Sequence, residues 1–189
     1  MDYNDITSRL KRIFSSLKDR FEEDVEKHTN VEEWKNGKGV TLTYGKYDEE
    51  ELLNKIMSIL YNLASLKDNL KNNLEKNGFN PQIVEDEINN SLHLQVLIDI
   101  VNQDKHGSPL RKPRSHKNPV IKYPNIGFRP FFKKKGTATG NSTEDIEKPV
   151  MFIDALIKDE HENILFYLDE FVETCFAKWK ALAQKYNCV

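Results

Sequence analysis

Nowhere does the sequence hold an apolar run near the roughly 20 residues of a bilayer-crossing helix, which excludes a helical membrane span, and no membrane partner is expected. Cysteine is scarce, with two in 189 residues, too few for a disulfide framework or a zinc site built on cysteine pairs. Cys175 falls in a helical pattern and reads as a small core residue, while Cys188 sits near the tail; both suit a reducing compartment. The opening "MDYNDITSRLKRIF" lacks the charged-then-apolar pattern and small-residue cleavage site of a secretory leader, so the cytoplasm is the expected location. There is no glycine-rich phosphate loop ahead of a helix and no GxSxG elbow, and the chain implies neither a cofactor nor a metal.

A second absence is local. From Lys105 to Lys135 there is no Asp or Glu, yet the stretch carries ten basic residues: Lys105, Arg111, Lys112, Arg114, Lys117, Lys122, Arg129, Lys133, Lys134 and Lys135. The whole chain has 28 Lys and Arg against 30 Asp and Glu, so the rest holds 18 against 30, a net of -12. Segregation of this kind puts a positive field on one part of a small molecule and makes a polyanion, nucleic acid first, the expected partner.

What is present in quantity is helical periodicity. Hydrophobic residues make up 38% of the chain and charged residues 31%, a balance suited to amphipathic helices with solvated outer faces. Ile6, Leu10, Ile13, Phe14, Leu17, Phe21 and Val25 form one stripe over residues 5 to 28. The following "TNVEEWKNGKGVTLTYGKYD" reads as a loop holding a short strand. Helix resumes near Asp48 and runs to about residue 76. Asn80 and Pro81 then read as the start of a third helix reaching His106, capped by Gly107 with Pro109 beyond. Two β-prone segments, "PVIKYPNIGF" and "KPVMFIDALIKDE", form a hairpin around a polar, glycine-containing loop at about 133 to 147, and a last helix spans about 160 to 186. The expectation is a mainly α fold over residues 1–189 as one domain, a four-to-five-helix bundle. A basic loop and β-hairpin over 107–158 are inserted between its third and last long helices.

The chemistry-bearing stretch is "IDIVNQDKHGSPLRKPRSH", residues 98 to 116. At about 100° per residue, Gln95, Asp99, Asn102 and His106 share a narrow arc opposite Leu94, Leu97, Ile98, Ile100 and Val101. That stripe fits a solvated face, and cations in a last turn also complement the helix dipole. It fits a site as well. An imidazole beside phosphate-binding groups can take the proton of a 2′-hydroxyl, while Lys or Arg stabilises the phosphorane, with no metal required. His106, Lys105, Asn102 and Asp99 are therefore the catalytic candidates. Arg111, Lys112, Arg114, His116, Lys117, Lys122, Arg129, Lys133, Lys134 and Lys135 are the nucleic-acid-binding ones. His28, His93 and His161 fall on separate segments and read as surface or boundary residues. Tyr123, Phe128, Phe131 and Phe132 are placed on the buried side of the hairpin, with stacking on unpaired bases as the alternative.

A helical pattern of this length, with "DIVNQDKHG" closing its third helix and an amphipathic helix after it, resembles the HEPN superfamily; the stretch is similar to a D-x-x-N-x-x-K-H variant of some bacterial members. The resemblance implies a helical bundle, a homodimer, and metal-independent cleavage of RNA in a toxin or antiphage setting, with Asp99 and Asn102 orienting the imidazole or lining the dimer seam. The family's Arg-x4-6-His arginine would fall at Val101, Ile100 or Asp99, while Arg111 and His116 match the spacing across Pro113. The alternative is a non-catalytic HEPN-like module for dimerisation or partner-protein docking, with an anion-binding basic loop.

Overall fold

The computed structural model describes residue 8 and residues 29–34, 37–42, 48–132 and 146–187, with side chains described over 48–125 and 153–187. Apart from Ser8, the helix expected over 5 to 28, together with His28, lies outside the described residues. Strands β1 (Thr29–Trp34) and β2 (Gly37–Leu42) pair antiparallel, so the segment expected to hold one short strand holds a pair.

Helix α1 (Glu49–Lys76) begins and ends on local chemistry. The Asp48 carboxylate accepts the backbone N–H of Glu50 at 3.1 Å, and Glu49, Glu50 and Glu51 place negative charge against the positive end of the helix dipole. Its buried stripe, Leu52, Ile56, Leu60, Leu63, Leu66, Leu70 and Leu74, repeats every three to four residues. Gly78 closes the helix in the left-handed region (φ 77°), letting the Phe79 N–H reach the Leu74 carbonyl at 2.8 Å and its own N–H reach Glu75 at 3.0 Å.

The helix expected from 81 to 106 is two helices. Asn80 Oδ1 accepts the N–H of Gln82, opening α2 (Gln82–Asn89), and the chain breaks at Asn90. Ser91 then caps α3 (Leu92–His106), its Oγ accepting the N–H of Leu94. The polar run Asn89–Asn90–Ser91 offers the backbone side-chain partners that compete with helical bonds, which is the physical reason for the break. Gly107 (φ 63°) ends α3 as the sequence indicates, with Ser108 donating to the Gln103 carbonyl.

Strands β3 (Val120–Phe132) and β4 (Ile146–Lys158) form the expected hairpin between α3 and the last helix; the 133–145 connection lies outside the described residues. Residues 164–167, expected to be helical, are instead a short strand, β5, antiparallel to β4, giving a sheet of order β3-β4-β5. The β-rich "ILFY" explains it: its side chains suit a pleated, half-buried edge. The last helix, α4, is Leu168–Lys185.

Helices predominate, with 28, 8, 15 and 18 residues, over a small antiparallel sheet. The core lies where α1, α3 and α4 meet and β4 covers them. Phe171 and Trp179 of α4 are fully buried, and Ile153, Ala155 and Ile157 of β4 alternate inward. Cys175 is buried, its Sγ facing the His93 carbonyl at 3.7 Å, and burial pushes its thiol pKa well up. The His93 ring packs at a tilt against Phe166, ring centroids 4.2 Å apart. No described helix is long and apolar enough to cross a membrane.

A Cβ at position 107 meets no atom within 4 Å, so only backbone strain opposes a side chain there. The Gly107→Ala variant is expected to lose about 1 to 2 kcal/mol of stability in urea denaturation, the cost of holding an L-residue in the left-handed region.

Candidate nucleic-acid interface

Over Val96–Val101 every residue of α3 is buried, so the helix turns no solvated face here. Asp99, at 1% exposure, sits inside this apolar run and not on an outer stripe. A carboxylate so placed must find donors. It takes both from the loop after α3, where the N–H of Arg114 donates to Oδ1 at 2.9 Å and that of Ser115 to Oδ2 at 2.8 Å.

Other ties hold the same loop. The His116 N–H donates to the Pro113 carbonyl at 3.2 Å, closing a turn, and Ser115 Oγ accepts from the Lys117 N–H at 3.3 Å. At its far end the Glu160 N–H donates to the Lys117 carbonyl at 3.2 Å. Glu160 belongs to the turn joining β4 and β5, which is organised by Asp159, a buried carboxylate accepting from the N–H groups of His161 and Asn163, both at 2.9 Å.

Arg114 is committed as well. Its guanidinium donates to Glu85 Oε2 at 2.6 Å, and Lys71 of α1 donates to Glu85 Oε1, so one carboxylate of α2 joins α1 to the loop. Partial burial alone raises the pKa of Glu85, but the hydrogen bonds from Lys71 and Arg114 overcome it and hold the carboxyl at about 2, against an ordinary 4.5.

The remaining candidates divide. His106 is exposed at the end of α3, without a side-chain partner among the described residues; the Asp99 oxygens accept from the loop amides and make no hydrogen bond to the imidazole. Asn102 is half-buried, also without a side-chain partner among the described residues. The Lys105 ammonium lies 5.6 Å from the Tyr61 ring centroid, and the Tyr61 hydroxyl donates to Asp104 at 2.8 Å. Burial, then the bond to Asp104, raises the Tyr61 pKa. Arg111, Lys112, His116 and Lys117 are exposed and face no carboxylate among the described residues. Lys122 reaches Glu162 at 3.7 Å. Arg129 lies on β3 opposite Val150, its side chain outside the described residues like those of Phe128, Phe131 and Phe132. Lys133, Lys134 and Lys135 lie outside the described residues altogether.

The structure thus gathers Lys105, His106, Arg111, Lys112, His116 and Lys117 on one anchored segment and assigns Asp99 and Arg114 to the anchoring. Tyr123, expected inside the hairpin, is 61% exposed. It sits where the β3–β4 register shifts between Lys122 and Asn125, and that irregularity turns it outward. Sequence reasoning missed Glu85, whose partner lies 29 residues away and leaves no local signal. For Asp99 a signal exists: a lone carboxylate inside "VLIDIV" belongs to a helix buried all round. Among the described residues no three His, Cys, Asp or Glu side chains come together as metal ligands. No protein-family model, curated protein or solved structure matches the chain.

Two outcomes follow from these contacts. Asp99→Asn turns an amide donor toward one of the loop N–H groups and is expected to lower stability by about 1 to 3 kcal/mol, with faster hydrogen exchange at the Arg114 and Ser115 amides. Because the Glu85 pKa is lowered on folding, its contribution is fully present above the unfolded value of 4.5 and is lost as pH falls toward about 2. Denaturation midpoints measured across that window should fall more steeply for the native chain than for Glu85→Gln.

Proposed function

We propose that this protein engages RNA through the segment from Lys105 to Lys117. The single observation that carries the reading is the contrast within that segment. Its backbone is fixed by the buried Asp99 carboxylate, while Lys105, Arg111, Lys112 and Lys117 point no charge at any carboxylate among the described residues. Buried acid holding a loop whose cations stay unpaired suits a phosphate backbone, which supplies the negative charge the loop lacks. His116 adds a further donor, and the acid-free sequence continues to Lys135. Under this reading the chain is a HEPN-like RNA-engaging protein acting as a homodimer, a proposal that rests on the "DIVNQDKHG" resemblance.

The exposed imidazole at the foot of α3 favours a second reading, metal-independent cleavage in a toxin or antiphage role. His106 would remove the 2′-hydroxyl proton, the freed oxygen would attack the adjacent phosphorus, and the 5′-oxygen would leave as a hydroxyl after taking a proton. The products are a 2′,3′-cyclic phosphate and a 5′-hydroxyl end, with Lys105 and Arg111 facing the charge that builds on the phosphorane. Engagement of Asp99 elsewhere supports the binding reading over this one. A docking module with an anion-binding loop is the form the binding reading takes if the preferred anion is not RNA.

The purified protein is expected to bind RNA with an affinity that falls steeply with salt. Arg111→Ala and Lys112→Ala should each lower the salt slope by roughly 0.7 per lost phosphate contact on a single strand. In the same preparation, total RNA incubated in EDTA should show cyclic-phosphate ends that vanish in His106→Ala if cleavage occurs. Intact RNA with salt-dependent binding leaves binding alone, and RNA ignored at low salt ends both readings.

A further inference from the structure

Tyr123 breaks two steric rules at once. Its φ is 55°, in the left-handed region where an aromatic L-residue is rarely held, and it directly precedes Pro124, whose ring restricts the preceding residue to extended backbone. Strain of this kind persists only where the surroundings impose it, and it concentrates at sites of function. Nothing in the core benefits here: the side chain is 61% exposed, thrown outward at the irregularity in β3.

The surroundings of the ring are cationic. The Lys158 ammonium lies 5.0 Å from its centroid, and Lys122 is its neighbour in sequence. Glu162 meets Lys158 at 3.1 Å and Lys122 at 3.7 Å, so the three groups together carry one net positive charge. The same β4–β5 turn that carries Glu162 also holds the Lys117 carbonyl through Glu160, so one turn contacts both the basic loop and the lysines beside Tyr123.

We infer that Tyr123 is a stacking platform for an unpaired nucleobase, and that the RNA this surface selects is single-stranded. The inference rests on the RNA-engaging reading and names the substrate class for it. An exposed aromatic face beside phosphate-binding cations is what single-strand recognition uses, since every base offers a π-face while a duplex keeps its bases stacked on each other. Lys158, its side chain only 13% exposed, holds the ring by cation–π attraction, and Lys122, at 42%, is the more open cation beside it.

The test compares the full chain with Tyr123→Asn and Tyr123→Phe, using fluorescence anisotropy of a labelled oligouridylate and of an RNA duplex of equal length. Asparagine tolerates the left-handed region, so it removes the ring while relieving the backbone. Expected results are oligouridylate binding about 5- to 150-fold weaker in Tyr123→Asn and near normal in Tyr123→Phe. Duplex binding should be unchanged, and the melting temperature of Tyr123→Asn equal to or above that of the native chain. Equal oligouridylate binding by Tyr123→Asn, with weakened binding by Arg111→Ala, overturns the stacking role and leaves RNA engagement standing. A lower melting temperature in Tyr123→Asn accompanied by equal losses on strand and duplex assigns the ring a structural role and overturns the inference. Failure of the native chain to bind either RNA overturns both.

Discussion

A carboxylate enclosed by hydrocarbon is tolerated only with hydrogen-bond donors on its oxygens, and that requirement organises the end of this molecule that carries the basic segment. Asp99 lies within an α3 segment buried on every side, and the donors nearest to hand are the amides of Arg114 and Ser115. Meeting the requirement folds the connection after α3 back onto the helix that precedes it. The turn at Pro113, the Arg114 contact with Glu85 and the Lys117 link to the β4–β5 turn all depend on that return. Without Asp99, the basic segment would be a chain of like charges leaving the end of a helix. With it, the segment is tied back to α3 at Arg114 and Ser115.

The arrangement separates two kinds of basic residue that composition alone treats alike. Arg114 and Lys71 serve the fold, and their shared partner Glu85 is held ionised far into acid. Lys122 and Lys158 are intermediate, since both pair with the exposed carboxylate of Glu162. The side chains of Arg111, Lys112 and Lys117 hold no partner among the described residues. A basic stretch is thus a mixture of structural ties and open charges, and only burial and pairing distinguish them.

Much of the framework was legible because it rests on local chemistry. The spacing of Leu52 through Leu74, the Asp48 cap, the glycine after His106 and the β-prone segments around residue 150 each act within a few residues, and each element formed where the pattern placed it. Elements decided by competition were misread. Ser91 divides a stretch whose apolar rhythm continues across it, and "ILFY" takes strand form only because β4 offers an edge. In the site, the helical wheel grouped Asp99 with Asn102 and His106 correctly in angle but not in environment, because the loop that covers Asp99 comes later in the chain. Tyr123 was misplaced for a related reason: propensity puts tyrosine inside a hairpin, while a register shift between two strands is a property of neither alone.

The connection between α3 and β3 contains three prolines, Pro109, Pro113 and Pro119, in a span with no helix or strand of its own. Each fixes one φ in the unfolded chain as well as in the folded one, so conformational entropy that a glycine-rich loop would surrender on folding was never available to this one. A ligand settling on such a loop would meet side chains on a backbone whose freedom is already reduced. What it must immobilise is lysine and arginine rotamers, a far smaller entropic cost than that of ordering a free segment.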